Sequence, residues 1–210
     1  MNSTLLILGA GGHARVVADC ALATGQWSGI AFLDDRYPEL DSMNGWPVVG
    51  RISDLESFVP EYPMMALGVG VSYESLRLEL LVRGQQAGAK LPAIIHPKAT
   101  ISPFATVSDG SVVFAGAVIN VNARIGSGCI INTVSSIDHD CSIGNGTHIS
   151  PGALLAGAVT IGEKAWIGMG AKILQCISVG DETVVGAGAV VLSDVPANSK
   201  VVGVPARPIF

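Results

Sequence analysis

The chain has 210 residues, of which 49% are hydrophobic and only 14% charged, and it carries a formal net charge of -5. That length holds one or two domains with a sizeable core. The acidic balance and the lack of any Lys or Arg run argue against a nucleic-acid-binding face, and no apolar stretch is long enough to span a bilayer. Residues 1–24 lack the charged start, apolar core and cleavage site of an export signal, so a cytoplasmic location without membrane insertion is expected. Cys20, Cys129, Cys141 and Cys176 have neither disulfide nor metal spacing and read as small core residues. A surface with so few charges also suggests that copies of the chain cover part of it.

In chain order, Thr4 to Leu8 reads as a buried strand, Gly9-Ala10-Gly11-Gly12-His13 as a turn, and Ala14 to Ala23 as a helix ending near Gly25. Ile30 to Leu33 is a second strand, closed by Asp34-Asp35. Strand, Gly-rich turn, helix, strand and acidic pair form the order of a nucleotide-binding βαβ unit. Residues 36–60, with Pro38, Gly45, Pro47 and Gly50, read as loop with a short strand at Val48-Val49 and a helical turn over Ser53 to Phe58. Met64 to Leu67 is expected to be another parallel strand, followed by Gly68-Val69-Gly70 and by a helix over Ser72 to Gln86 with Ser72 as its N-cap. Leu91 to Ile94 would close the small sheet. These readings give a small α/β domain over 1–90, a second domain over 91–196, and an extended tail over 197–210 that packs on its last coil.

From Ile95 every sixth residue through Val191 is Ile, Leu or Val, without exception. Two residues earlier the side chain is usually small, as at Ala117, Ala123, Cys129, Ser135, Cys141, Thr147 and Ala153. Side chains alternate along a strand, so the small and the branched residue point inward together. Each six-residue unit is a short strand plus a corner, and a run of such units is a solenoid around a dry aliphatic core.

Four histidines occur, and His139, in Ser136-Ile137-Asp138-His139-Asp140-Cys141, carries the chemistry of interest. Ile137 points inward, which leaves His139 at a corner, able to project from the core. An imidazole there is suited to accept a proton at neutral pH. Asp140 beside it can hold one ring nitrogen and favour the charged ring. By spacing alone the same histidine reads equally well as an ordinary solvated corner residue. His96, before Pro97, reads as structural.

The unbroken hexapeptide repeat resembles the left-handed β-helix acyltransferases. The whole chain, from its Gly-rich start to Val201-Val202-Gly203-Val204-Pro205-Ala206, is similar to their sugar O- and N-acetyltransferase branch, which includes sialic acid O-acetyltransferases and nucleotide-4-amino-sugar N-acetyltransferases. The block Asn132 to Gly144, with His148-Ile149-Ser150-Pro151-Gly152, looks like that branch's catalytic segment. The fold implied is a Rossmann-like N-terminal domain followed by a left-handed parallel β-helix with three hexapeptides per coil, assembled as a homotrimer with sites between subunits.

On that resemblance His139 is the general base, Asp140 raises its basicity where relatives often have Glu, and Asn132 helps place the acceptor. Residues eighteen apart stack, so Gly157 lies over His139, where its N–H can donate to a thioester oxygen. His148, Gly157, Met169 and Ala187 match acetyl-CoA contacts. Gly11, Gly12, His13, Asp34, Asp35 and Gly68 match sugar-nucleotide contacts, with phosphate at the helix start, although Val69 stands where some relatives have a polar residue.

The activity implied is acetyl transfer from acetyl-CoA to the 4-amino group of a nucleotide-linked 4-amino-4,6-dideoxy sugar, with O-acetylation of sialic acid or another sugar as the alternative. A nicotinamide enzyme is disfavoured because about ninety residues give half of a doubly wound sheet. A zinc enzyme is disfavoured because His139 and His148 have no third histidine in the repeat.

Overall fold

Leu5, Leu6, Ile7 and Leu8 are all fully buried, as a run of aliphatic residues without alternation requires of a central parallel strand. They belong to β1 (Ser3–Leu8) in a computed structural model that describes residues 3–70 and 73–209. The elements that follow are α1 (Gly12–Ala23), β2 (Trp27–Leu33), β3 (Ser42–Met43), β4 (Trp46–Gly50), a 3-10 turn over Ile52–Asp54, α2 (Leu55–Phe58), β5 (Met65–Leu67) and α3 (Glu74–Gln86). The sheet order is β3-β4-β2-β1-β5, with β1 parallel to β2 and to β5, β2 parallel to β4, and only β3 antiparallel.

The chain divides into two compact units, Met1–Pro97 and Lys98–Phe210, against a boundary expected near residue 90. Leu91 to Ile94 adds no strand to the small sheet. An isolated bridge pairs Lys90 with Met64, and Leu91 instead buries its side chain in the core. Pro92 has no N–H to continue a ladder. Ser72, expected as the N-cap of α3, lies outside the described residues, and the cap position is held by Tyr73 without a side-chain cap.

In the second unit each hexapeptide contributes a two-residue strand, and three such strands bring the chain back over itself. Ser136 pairs with Leu154, Ser142 with Thr160 and His148 with Trp166, all in parallel. Successive coils are joined by ladder bonds such as His148 N–H to Ala165 O and Ser150 N–H to Ile167 O, both 2.9 Å. From Val113 to Val191 every repeat aliphatic is buried, and the small inward residues, among them Ala117, Ala123, Cys129, Ser135, Cys141, Thr147 and Ala153, are fully covered.

The inward hydroxyls are satisfied by corner carbonyls: Thr147 Oγ1–H donates to Gly162 O at 2.7 Å and Ser135 Oγ–H to Asn132 O at 2.7 Å. At its start the repeat departs from the expected core, because Ile101 and Val107 are only half-buried and Ile95 is 38% exposed. Cys176 departs too, as it is an exposed corner residue.

The corners have a period of their own. From Gly110 to Gly188 every sixth residue has a left-handed φ, including Asn122, Val134, Asp140, Ala158, Lys164, Cys176 and Glu182. Glycines directly after the aliphatic residue answer a different need: a Cβ on Gly144 would stand 2.5 Å from Glu163 N on the next coil. Beyond Val191 the spacing shortens around Pro196, so that Val195 bridges Val179 and the strand Lys200–Val202 pairs with Val184-Val185, capped by the antiparallel pair Arg207–Pro208.

Val134 is a branched residue in the left-handed region, at φ 57°, with its side chain 62% exposed. Val134→Asn removes that strain and is expected to stabilise the fold by about 1 kcal/mol, read as a raised midpoint in chemical denaturation.

Candidate active site

His139 and Asp140 sit at the corner between the strands Ser136–Ile137 and Ser142–Ile143. Both side chains are about half exposed, and the ring Nδ1 meets Asp140 Oδ2 at 2.8 Å. This hydrogen bond is the main cause that raises the His139 pKa above the ordinary histidine value, with the charges of Asp138 and Asp140 adding to it. The same bond, and then the Asn122 amide, hold the Asp140 carboxyl below the usual carboxylate range.

The corner main chain is pinned separately. Asp138 Oδ1 accepts from His139 N–H at 2.7 Å and from Asn120 Nδ2–H at 3.0 Å. With Nδ1 facing a carboxylate, Nε2 is the nitrogen left to exchange a proton.

Against Nε2 lies Gly157, one coil on. A Cβ at Gly157 would stand 2.5 Å from Nε2 and 2.6 Å from Cε1, so no other residue fits without moving the ring. Some corner amides in the comparable position have side-chain acceptors: Ser127 N–H bonds Asn145 Oδ1 and Glu163 N–H bonds Asp181 Oδ1. At Gly157 the preceding residue is Ala156, and among the described residues nothing accepts from its N–H. A proton acceptor and an unengaged amide therefore share one corner.

His148 points outward from its strand, as its position in the repeat requires, yet it is only 8% exposed. Trp166 pairs with it in the strand of the next coil and Asn132 Nδ2 approaches its Nε2 at 3.2 Å. Trp166 Nε1–H in turn donates to Ser150 Oγ at 2.9 Å. Here His148, Trp166, Met169 and Ala187 line an apolar hollow of about 350 Å³ with Ser150, Pro151 and Val184 to Gly186.

Three of the expected acetyl-CoA contacts, His148, Met169 and Ala187, are thus brought together, and Asn132 joins them through His148. His139 and Gly157 are not among them. The hollow surrounds the corner that precedes the strand Leu154–Leu155, whereas His139 and Gly157 occupy the corner that follows it. The bond between Trp166 and Ser150 was not read from the sequence, because the two belong to different coils and neither stands out in the repeat.

In the first unit the loops after β1, β2 and β5 meet at the carboxyl ends of parallel strands, where β1 stands between its two neighbours, the switch point at which such sheets bind ligands. Gly11 and Gly12 are exposed at the start of α1, and Gly11 is an N-cap with no side-chain cap bond. The start of the helix presents backbone N–H groups to which an anion can bind. Gly68 is a packing residue: a Cβ there would lie 2.7 Å from Gly9 O and 2.8 Å from Ala14 Cβ. His13 is half-buried against Gly70, and burial, followed by the charge of Arg77, lowers its pKa to about 4, so its ring is neutral at pH 7.

The acidic pair divides its labour. Both Asp34 oxygens are engaged within the chain: Oδ2 accepts from Ala10 N–H at 2.8 Å, and Oδ1 from Arg36 Nε–H at 2.6 Å. Asp35 is exposed and, among the described residues, accepts only a long 3.4 Å bond from Ser53 N–H. Arg36 and Arg77, which brace the loops after β2 and β5, were missed in the sequence, because a lone arginine in a loop carries no periodic signal.

Comparison with known proteins places this geometry. Residues 4–81 match the PglD N-terminal domain, and residues 122–157 and 158–193 each match the bacterial transferase hexapeptide model of six repeats. The acetyltransferase domain of PglB from Neisseria gonorrhoeae, solved in complex with acetyl coenzyme A, is 42% identical with a TM-score of 0.92, and the match covers 100% of both chains. A point mutant of perosamine N-acetyltransferase from Caulobacter crescentus, in complex with CoA and GDP-perosamine, is 34% identical with a TM-score of 0.93, covering 99% of this chain and 97% of that one. The chain belongs to the left-handed β-helix sugar acetyltransferase family, in its nucleotide-amino-sugar N-acetyltransferase branch.

A curated relative, UDP-N-acetylbacillosamine N-acetyltransferase of Bacillus subtilis, is 34% identical over 111 residues, and this match spans about half the length of each protein (52% and 50%). As in that family, a small Rossmann-like α/β domain precedes a left-handed parallel β-helix. Among the described residues no helix is long and apolar enough to cross a membrane.

Asp34 stabilises this acetyltransferase's Gly-rich turn only while ionised. Arg36, first, and the Ala10 amide hold its carboxyl below the usual range against the opposing effect of burial, so the contribution is present above about pH 4 and lost as acid titrates the folded carboxylate. Asp34→Ala leaves the buried Ala10 N–H without its acceptor and is expected to cost about 1–3 kcal/mol, measurable by denaturant unfolding at pH 7.

Proposed function

We propose that this enzyme transfers acetyl from acetyl-CoA to the 4-amino group of a nucleotide-linked 4-amino-4,6-dideoxy sugar, in a ternary complex and without a covalent intermediate. The observation that carries the reading is the single corner at which Asp140 holds Nδ1 of His139 while Nε2 lies against Gly157. His139 Nε2 takes the proton from the sugar amine as its nitrogen attacks the thioester carbon. The Gly157 N–H stabilises the oxygen that becomes negative. Collapse of the tetrahedral intermediate expels the CoA thiolate, which recovers the proton from the imidazolium. Asp140 remains ionised throughout and stabilises the charged ring.

The names of the relatives support both ligands: acetyl coenzyme A on the Neisseria domain, and CoA with GDP-perosamine on the Caulobacter enzyme. The apolar hollow beside His148, Met169 and Ala187 suits a pantetheine arm, with Trp166 and the ring of His148 as its wall. Since that hollow and the His139 corner lie on different edges of one prism, the site is completed in a homotrimer, in which one copy supplies His139 and Gly157 and its neighbour supplies the hollow. Asn132, through His148, orders the neighbour's side of the cleft. The first unit takes the nucleotide: the amides of Gly11, Gly12 and neutral His13 meet the phosphates, and Asp35 accepts from base or ribose. Asp34 shapes that turn from beneath. The enzyme acts in the cytoplasm, where both substrates are available.

His139→Ala is expected to lower turnover roughly 10²–10⁴-fold with little change in the KM for acetyl-CoA, and undiminished turnover removes His139 from the mechanism. The acidic limb of kcat/KM belongs above the ordinary histidine value near 6.5, because the base must lose its proton and the Asp140 bond raises its pKa. A limb at or below that value contradicts the assignment. Gly157→Ala drives a methyl group into the ring, and steady-state assays are expected to show a loss of kcat comparable with that of His139→Ala, since ring and amide are displaced together.

A further inference from the structure

We propose that Asn122 is a positioning residue for this reaction, one that holds Asp140 in the orientation from which its second oxygen meets His139 Nδ1; this rests on the reading of His139 as the base. Asn122 lies one coil before Asp140 in the same corner column. Its Nδ2–H donates to Asp140 Oδ1 at 3.1 Å, while Oδ2 faces the imidazole at 2.8 Å. Both residues are left-handed, at φ 60° and 59°, so the two side chains leave the corner in parallel. A carboxylate on a half-exposed corner has several rotamers open to it. An amide fixed beneath one oxygen selects the rotamer that presents the other to the ring.

The corner itself has no need of this bond. Asp140 N–H bonds Val121 O at 3.0 Å, and the main chain at His139 is tied through Asp138 to Asn120. One coil further on, Ala158 occupies the same column at φ 58° with no polar side chain, and the corner closes there in the same way, its N–H bonding His139 O at 2.8 Å. An exposed hydrogen bond of this kind adds little to stability. What it supplies is orientation, to which acyl transfer is sensitive. The charged groups around the dyad are Asp138, facing the ring, and Arg124, near Asp140. Arg124 adds least to lowering the Asp140 pKa, after the bonds from His139 and Asn122, and among the described residues it makes no directed bond to the carboxylate, so neither group substitutes for the amide.

The test uses Asn122→Gly, which keeps the left-handed backbone without strain, and Asn122→Ala, the side chain tolerated at Ala158, in the full chain. Melting temperature, kcat, the KM for acetyl-CoA, and the titration midpoint of His139 by NMR in the free protein are measured beside His139→Ala. The expected result is an unchanged melting temperature and KM, a kcat lowered about tenfold, and a His139 midpoint that falls towards the ordinary value. An unchanged midpoint and kcat in both variants overturns the proposal. So does a lowered kcat that accompanies a lowered melting temperature and an unmoved midpoint, which marks a merely structural residue. Because the midpoint is read without substrate, its fall supports the Asn122–Asp140–His139 linkage even where His139→Ala retains turnover, an outcome that overturns only the base reading.

Discussion

Parallel pairing of each coil with the next, at a constant offset of eighteen residues, is the constraint on which the rest of the second unit depends. Backbone groups of two-residue strands cannot be satisfied locally, so every rung draws its hydrogen bonds from its neighbours and no rung can slip without exposing its aliphatic residue. The inward pair of small and branched side chains fills the triangular interior, and the left-handed corner residue returns the chain to the next face. Once the offset is held, a side chain at any corner has a known neighbour one coil away. The alignments of His139 with Gly157, Asn122 with Asp140 and His148 with Trp166 are products of that one regularity.

The proposed chemistry occupies a place where the regularity is relaxed. The corner amides of Ser127, Thr133, His139 and Glu163 are tied to a carboxylate or amide side chain; the one at Gly157 is preceded by Ala156 and, among the described residues, remains unengaged. At the His139 corner Asp138 and Asp140 bond along the stack to Asn120 and Asn122, while the ring between them projects against the bare Cα of Gly157. A solenoid tolerates such local departures because each coil is supported from both sides. The distribution of functional groups over two edges of the prism has a further consequence. On the function proposed above, each edge of a single chain carries half of the acyl-transfer site, and association of copies would take part in catalysis.

The first unit uses a different device. Parallel strands end together, and the loops after them are braced by polar groups: buried Asp34 with exposed Arg36 and with Ala10 on one side, buried Arg77 with Gly70 O on the other. These bonds fix the loops beside the exposed glycines at the start of α1. The acidic pair that looks uniform in the sequence is split by this bracing, with one carboxylate consumed in the turn and the other facing solvent.

How far these features were legible before the structure depends on whether they repeat. The hexapeptide core, the buried β1 and the outward corner at His139 could be read directly, because inward positions must be apolar at a fixed period and any deviation leaves a gap in the core. The left-handed corner at every sixth residue was only half visible, since Val134, Lys164 and Glu182 occupy positions that glycine or asparagine would have advertised. Leu91 to Ile94 misled because apolar character marks burial without saying which neighbour supplies the hydrogen bonds. By itself, then, the sequence determined the solenoid, its register and the histidine that stands out from it. Only the tertiary structure decided which oxygen of Asp140 meets the ring, that Asn122 holds the other, that Asp34 is committed to its own turn, and that His148 belongs to a different edge from His139. Period is a property of the chain, whereas the direction of a hydrogen bond is set by neighbours that folding brings close from distant positions.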